Sequence, residues 1–296
     1  MVDISWLQTE EDNENSYNID RACTEEALKI INNEDKKVPI AIEKEIKTIG
    51  NVIESIHTRL SADDASRLVY VGAGSSGRIG ILDSSESAPT FNFDRIVGLI
   101  AGGMESFFAA RESREDSKEA GKEDMKKIDI DRKDSVIGIM ASGRTPYTIG
   151  ALEESKDKGA LTIALTCNPK AKLNFDYHIA INVGPEVITG STRMKAGTAQ
   201  KLVLNMISTI LMTKMGKTYH NLMVDVTPKN KKLVERSINI IQKTTGLTRE
   251  KAEECFIKSG KRNKVAIVMV KLNISRERAE KILDENGGVL SRVLEQ

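Results

Sequence analysis

Leu68-Val69-Tyr70-Val71-Gly72-Ala73-Gly74-Ser75-Ser76-Gly77-Arg78 is the stretch that decides the fold. Its apolar start is short, continuous and rich in strand formers, as in a strand covered on both faces. Glycines follow at 72, 74 and 77, in the order G-x-G-x-x-G. Such glycines let the backbone approach an anion, and the N-terminus of the next helix attracts it. Apolar runs of the same kind recur at 96–101, 136–140, 161–166 and 178–183, with helix-like segments between them. Strands alternating with helices predict an α/β, doubly wound parallel sheet of five strands.

Upstream, residues 1–20 read as a loose polar arm. Thr24 is placed to N-cap a helix, with Glu25 and Glu26 in its first turn. Val38, Ile42, Ile46, Ile49, Ile53, Ile56 and Leu60 are spaced by three or four, which predicts one amphipathic helix. Downstream, 197–216 is apolar nearly all round, as in a helix buried centrally or in a subunit interface. From Asn230 the pattern is one of short helices, with a break at Gly287-Gly288. The expected organisation is an N-terminal arm and helices over 1–56, a sheet domain over 57–220 and a small helical cap over 221–296.

Lys plus Arg number 44 and Asp plus Glu 43, for a net charge of +1, which argues against a nucleic-acid partner bound through bulk charge. Aromatic residues are 4%, too few for base-stacking platforms. No run of 18 apolar residues occurs, so no membrane span is expected. The polar, acidic start is unlike a signal peptide. Cys23, Cys167 and Cys255 are far apart, without zinc spacing, a pattern of the reducing cytoplasm. His57, His178 and His220 are the only histidines, and each reads as structural. Neither a metal nor a cofactor is called for.

In an open parallel sheet, ligands bind beyond the carboxyl ends of the strands. The first such loop lacks the Lys-Ser/Thr of a P-loop, having Arg78-Ile79 instead. The second strand ends Ala101-Gly102-Gly103-Met104, without the acidic residue that would hold a dinucleotide ribose. What remains is a set of hydroxyls. Ser75-Ser76 stand in the first loop, Ser142-Gly143-Arg144-Thr145 in the third, and Gly190-Ser191-Thr192-Arg193 before the apolar helix. Small residues, hydroxyls and arginines suit a phosphomonoester. Any one loop could instead merely cap its helix; three on one chain favour phosphate. Candidate binding residues are Ser75, Ser76, Ser142, Arg144, Thr145 and Ser191. Arg193 and Lys195 either neutralise an anion or cap surface loops.

These loops resemble the sugar-isomerase (SIS) domain family, and most nearly its N-acetylmuramic acid 6-phosphate etherases. The resemblance spans nearly the whole chain: Asn33-Glu34-Asp35-Lys36, Val71 to Arg78, Ile81-Leu82-Asp83 with Glu86, Gly98 to Gly103, Ala141 to Pro146, Val183 to Asn205, and Asn221 to Asp225. It implies cleavage of the lactyl ether of a phosphosugar by two glutamates and no metal. By position these fall on Glu86, the family's proton donor, and on Glu115, within Glu112-Ser113-Arg114-Glu115-Asp116. Ser87-Ala88-Pro89 stands where the family has Cys-Pro-Pro, and Ser113-Arg114 where it has Gly-Ala.

The implied chemistry needs a base at C2 of the ring-opened sugar and an acid at the ether oxygen on C3. Two carboxyls in different environments can supply both. Glu86 is expected to protonate the departing lactate and Glu115 to act as base, an order the sequence leaves reversible. Glu112 is a candidate for sugar hydroxyls. Without the resemblance, 111–127 would be a solvated charged face. If 77–86 is one helix, Glu86 lies about 15 Å from the loop. Then the helix ends early or bends, or the site draws on a second copy; a homodimer is expected. The alternatives are a non-catalytic sugar-phosphate regulator, of the kind that carries two such domains and lacks a counterpart of Glu86, or a phosphosugar isomerase lacking the glutamate pair.

Overall fold

The computed structural model describes residues 8–108, 114–228 and 230–295. Its sheet consists of β1 (Leu68–Gly72), β2 (Ile96–Ile100), β3 (Ser135–Met140), β4 (Leu161–Thr166) and β5 (Tyr177–Ala180). All pairings are parallel and the order is β2-β1-β3-β4-β5. Every residue of β1, β3 and β4 is buried, which is why each reads as an unbroken apolar run. β5, at the sheet edge, stops at Ala180 rather than 183. The register of β1 against β3 is held at its start by Arg67, whose backbone N–H and guanidinium donate to the fully buried Asp134 at 2.7–3.2 Å.

The helices before the sheet are α1 (Thr24–Asp35), α2 (Lys37–Glu43) and α3 (Ile46–Ala62). Cys23, not Thr24, is the N-cap of α1, and its N–H donates to Glu26 at 3.1 Å. The single helix expected over 38–60 is two. The chain turns at Lys44-Glu45, where Glu45 N–H closes on Ile42 at 2.9 Å and Glu45 becomes the N-cap of α3. Both helices bury residues at the same spacing of three and four, so periodicity could not reveal the turn. His57 accordingly lies inside α3 rather than at its end.

Between the strands run α4 (Gly74–Phe91), α5 (Glu105–Phe108), α6 (Lys118–Lys127) and α7 (Pro146–Asp157), followed by α8 (Lys195–Lys214). A buried polar knot ties β1, α4 and α8: Tyr70, Asn205 and Ser208 all donate to Asp83, at 3.1, 2.6 and 3.1 Å. Burial pushes the Asp83 carboxyl up, against the pull of those donors. Within a single copy of the chain α8 is buried on one face. Met206 is 38% exposed and Ile210 45%, while Val203, Leu204, Ile207 and Leu211 are fully buried.

The chain divides into two compact units. One runs to Ser85 and takes in Arg95–Ser208; the other is Glu86–Asp94 with Thr209 onward. The second unit contains an antiparallel ribbon, β6 (Thr218–Tyr219) with β7 (Leu222–Met223), then α9 (Lys231–Thr245), α10 (Arg249–Lys258), α11 (Asn263–Leu272), α12 (Arg276–Glu285) and α13 (Leu290–Leu294). Its core gathers Ile238, Ile241, Phe256, Val265, Ile267 and Leu283. Among the described residues, no helix is long and apolar enough to cross a membrane.

Candidate active site

The chain leaves β1 for β2 on one side and reaches β3 on the other, so the switch point of the sheet lies between the carboxyl ends of β1 and β3. Ligands of doubly wound sheets bind there. A cleft of about 510 Å³ occupies that place. Its lining includes Gly74, Ser75, Ser76, Glu115, Ser142 and Arg144. Thr145, Gly190 and Thr192 complete the approach of the three hydroxyl-bearing loops.

The glycine loop works by close packing and one left-handed residue. Gly74 has φ +51°, which a side chain would strain. A Cβ on Gly77 would stand 2.7 Å from the Gly72 carbonyl oxygen, so both glycines let α4 start tight against β1. The first turn of α4 therefore presents backbone N–H groups and the Ser75 and Ser76 hydroxyls to the cleft. Neither hydroxyl is hydrogen-bonded to another described residue. α7 arrives similarly: Thr145 is its N-cap, makes no side-chain capping bond, and precedes Pro146 in the first turn. Ser142 Oγ accepts from Arg144 N–H at 3.3 Å, which keeps its own proton to donate.

The third helix start is different. Glu186, 1% exposed, accepts from the N–H groups of Lys195 and Ala196, both at 2.9 Å, and so occupies the N-terminus of α8 itself. Burial pushes its carboxyl up, partly opposed by those two N–H groups. The start of α8 thus already has a carboxylate of its own chain.

Glu115 is carried into the cleft by two helices in unusually close contact. A Cβ on Gly121 of α6 would fall 1.9 Å from the Tyr147 carbonyl oxygen, and one on Gly150 of α7 would fall 2.0 Å from that of Lys118. Only glycine allows this approach. Tyr147 N–H then donates to Glu115 O at 3.0 Å, and Ser117 caps α6 just beyond. The Glu115 carboxylate reaches within 3.9 Å of where a Cβ on Gly74 would stand.

The other expected residues are placed less uniformly. Ser191 does not line the cleft, although its neighbours Gly190 and Thr192 do. Glu112 lies outside the described residues. Glu86 is exposed and absent from the cleft lining. α4 neither ends early nor breaks, even with Pro89 inside it, so Glu86 sits three turns and about 18 Å along the helix from Gly74. Ser87, at the departure from the family pattern, is buried and donates to Phe93 O at 2.8 Å. Arg78 donates to the Ser106 and Phe107 carbonyls at 2.8 and 2.9 Å, and Arg193 is exposed. Lys195 neither binds an anionic ligand nor caps a surface loop. It is 1% exposed and paired with Glu34 at 2.7 Å. His178 is half-buried against Thr166 at 2.8 Å, and burial lowers its pKa.

Residues 8–20 of the N-terminal arm, the part within the described residues, are not loose. Asn13 donates to Glu34 at 2.9 Å and to Pro185 O at 3.1 Å, Ser16 donates to Val187 O at 2.7 Å, and Gly190 N–H donates to Thr9 O at 3.0 Å. Burial works to raise the pKa of Glu34, but hydrogen bonds from Lys195, Lys37 and Asn13 outweigh it and hold it at about 2. The arm thereby brings Thr9 and Glu10 to the cleft wall. Sequence reasoning missed both, because a polar segment held by side-chain hydrogen bonds has no apolar period.

Three family models match the chain. They describe the N-terminal SIS domain of glucokinase regulatory protein over 51–156, the SIS domain over 116–210, and the C-terminal lid domain of glucokinase regulatory protein over 220–280. Full-length relatives are closer. A protein of Clostridium botulinum (strain Eklund 17B / Type B) is 50% identical over 98% of this chain and 97% of its own. One of C. botulinum (strain Loch Maree / Type A3) is 48% identical over 100% and 98%. One of Clostridium beijerinckii is 47% identical over the same shares. All three are named N-acetylmuramic acid 6-phosphate etherase.

Proposed function

Since the chain belongs to the N-acetylmuramic acid 6-phosphate etherase family, we infer that it cleaves the D-lactyl ether of N-acetylmuramic acid 6-phosphate, releasing N-acetylglucosamine 6-phosphate and D-lactate in the recycling of cell-wall sugar. The observation that carries the reading is the cleft at the switch point. There two helix N-termini, the hydroxyls of Ser75, Ser76, Ser142 and Thr145, and the Arg144 side chain stand around a carboxylate, Glu115. Phosphate needs the donors; an elimination needs the base.

With the sugar ring open, the C1 aldehyde makes the C2 proton acidic. Glu115 takes that proton, the C2–H electron pair forms a C2–C3 double bond, and the C3–O bond breaks. Lactate leaves with the ether oxygen and gains a proton from the second carboxyl, Glu86. Water adds at C3 and a proton returns to C2, so atoms balance. The three turns of α4 between Gly74 and Glu86 favour a homodimer in which each cleft takes Glu86 from the other copy. Leu82 and Met206, 51% and 38% exposed on α4 and α8, are the apolar side chains such an interface would cover. Cytoplasmic residence suits a phosphosugar substrate and the free thiols of Cys23, Cys167 and Cys255. A regulator or an isomerase would share the phosphate loops but needs no Glu86 and Glu115 pair.

Run in heavy-oxygen water, the reaction is expected to label the C3 hydroxyl of the sugar product and leave lactate unlabelled. Label in lactate would mean that the other carbon–oxygen bond breaks, and would overturn the elimination.

A further inference from the structure

Besides Glu115 and its neighbour Asp116, the cleft is lined by a carboxylate that comes from the N-terminal arm. Glu10 lines the cleft with Glu115, and its Oε2 lies 3.1 Å from where a Cβ on Gly190 would stand. It makes no hydrogen bond or ion pair with another described residue. Thr9 beside it is 3% exposed, lines the same cleft, and has a hydroxyl without a partner. Its backbone carbonyl is fixed by Gly190 N–H. The arm is held elsewhere by Asn13, Asn15 and Ser16 and by the buried Glu34–Lys195 pair, so the position of these two residues is set before any ligand arrives.

An ionised carboxylate only accepts hydrogen bonds. Phosphate and the lactyl carboxylate only accept as well, so neither can be what Glu10 meets. The groups on a phosphosugar that donate are its hydroxyls and, on an N-acetylated sugar, the amide N–H. Half-buried at the cleft wall, the Glu10 carboxylate is open to such donors. We propose that Glu10 is a sugar-recognition residue, which accepts from the hydroxyl and amide donors of the substrate and sets its orientation against Glu115. The proposal rests on the etherase reading and extends it. It gives the N-terminal arm a direct part in choosing a donor-rich sugar over other phosphomonoesters.

The test is steady-state kinetics of full-length Glu10→Gln on N-acetylmuramic acid 6-phosphate, with inorganic phosphate as competing inhibitor. Loss of one charged acceptor is expected to raise KM about tenfold or more in Glu10→Gln, with kcat changed far less and phosphate inhibition as in wild type. An unchanged KM in Glu10→Gln overturns the proposal. So does an equal loss of sugar and phosphate affinity with a lowered Tm, which marks a purely structural role. A collapse of kcat at unchanged KM overturns it too, by placing Glu10 in the chemistry. Wild-type protein that releases no lactate at all counts against the etherase reading instead, and the two failures are thereby distinguished.

Discussion

Tyr147 N–H donates to the Glu115 carbonyl oxygen across 3.0 Å, so the first turn of α7 holds in place the residue that faces the first turn of α4. One backbone contact thus ties the proposed base to the helix start that carries Thr145. Glu115→Gln keeps the shape and removes the base. It should bind N-acetylglucosamine 6-phosphate as wild type does while kcat falls about 10²–10⁴-fold, the usual contribution of a general base. Wild-type turnover would remove Glu115 from the chemistry.

Glu86 gives a separate prediction. Glu86→Gln and Glu115→Gln proteins, each inactive alone, should recover about a quarter of wild-type activity when unfolded and refolded together. Half the dimers are then mixed, each with one intact site out of two. Absence of recovery, in a mixture shown to contain mixed dimers, would contradict a site shared between copies.

The α6–α7 contact is testable through its glycines. A Cβ on Gly121 has no room, 1.9 Å from Tyr147 O, so Gly121→Ala should cost about 1–3 kcal/mol in chemical denaturation and lower kcat/KM by displacing Glu115. Gly50, inside α3, has nothing within 4 Å of its Cβ position. Gly50→Ala should leave activity alone and stabilise by about 0.5–1 kcal/mol.

Lys195→Met removes the buried partner of Glu34 and leaves it Lys37, Asn13 and Asn15, with a loss of about 1.5–3 kcal/mol expected. The Glu34→Gln, Lys195→Met double variant should recover much of it, as replaced buried pairs often do. A single variant as stable as wild type would mean that the pair does not hold the arm.

The same pair predicts an acid response. The Glu34 pKa falls from 4.5 to about 2 on folding, so the ionised carboxylate contributes stability in full above about pH 4.5. That contribution drains away as pH falls toward 2. Protection of the Gly190 amide, which donates to Thr9 O, should decline through this window after correction for intrinsic exchange. Glu34→Gln should show no such decline there.

What the sequence made legible follows from the kind of force involved. β1, β3 and β4 are covered on both faces, so burial wrote them as unbroken apolar runs. Ser75, Ser142 and Thr145 stood out because glycines and hydroxyls at strand ends have few other uses. The turn at Lys44-Glu45 was hidden because the helices on either side keep one apolar spacing. Lys195 resembled a phosphate ligand because its partner, Glu34, is distant in sequence. Thr9 and Glu10 were invisible for the same reason: the arm is held by polar contacts such as that of Asn13 with Pro185, 172 residues away in the chain.

Incubation of the purified chain with N-acetylmuramic acid 6-phosphate, with D-lactate measured against time, tests the central claim most directly. Equimolar D-lactate and N-acetylglucosamine 6-phosphate are predicted. Binding of the phosphosugar without lactate, or its conversion to a ketose with the ether intact, would contradict it.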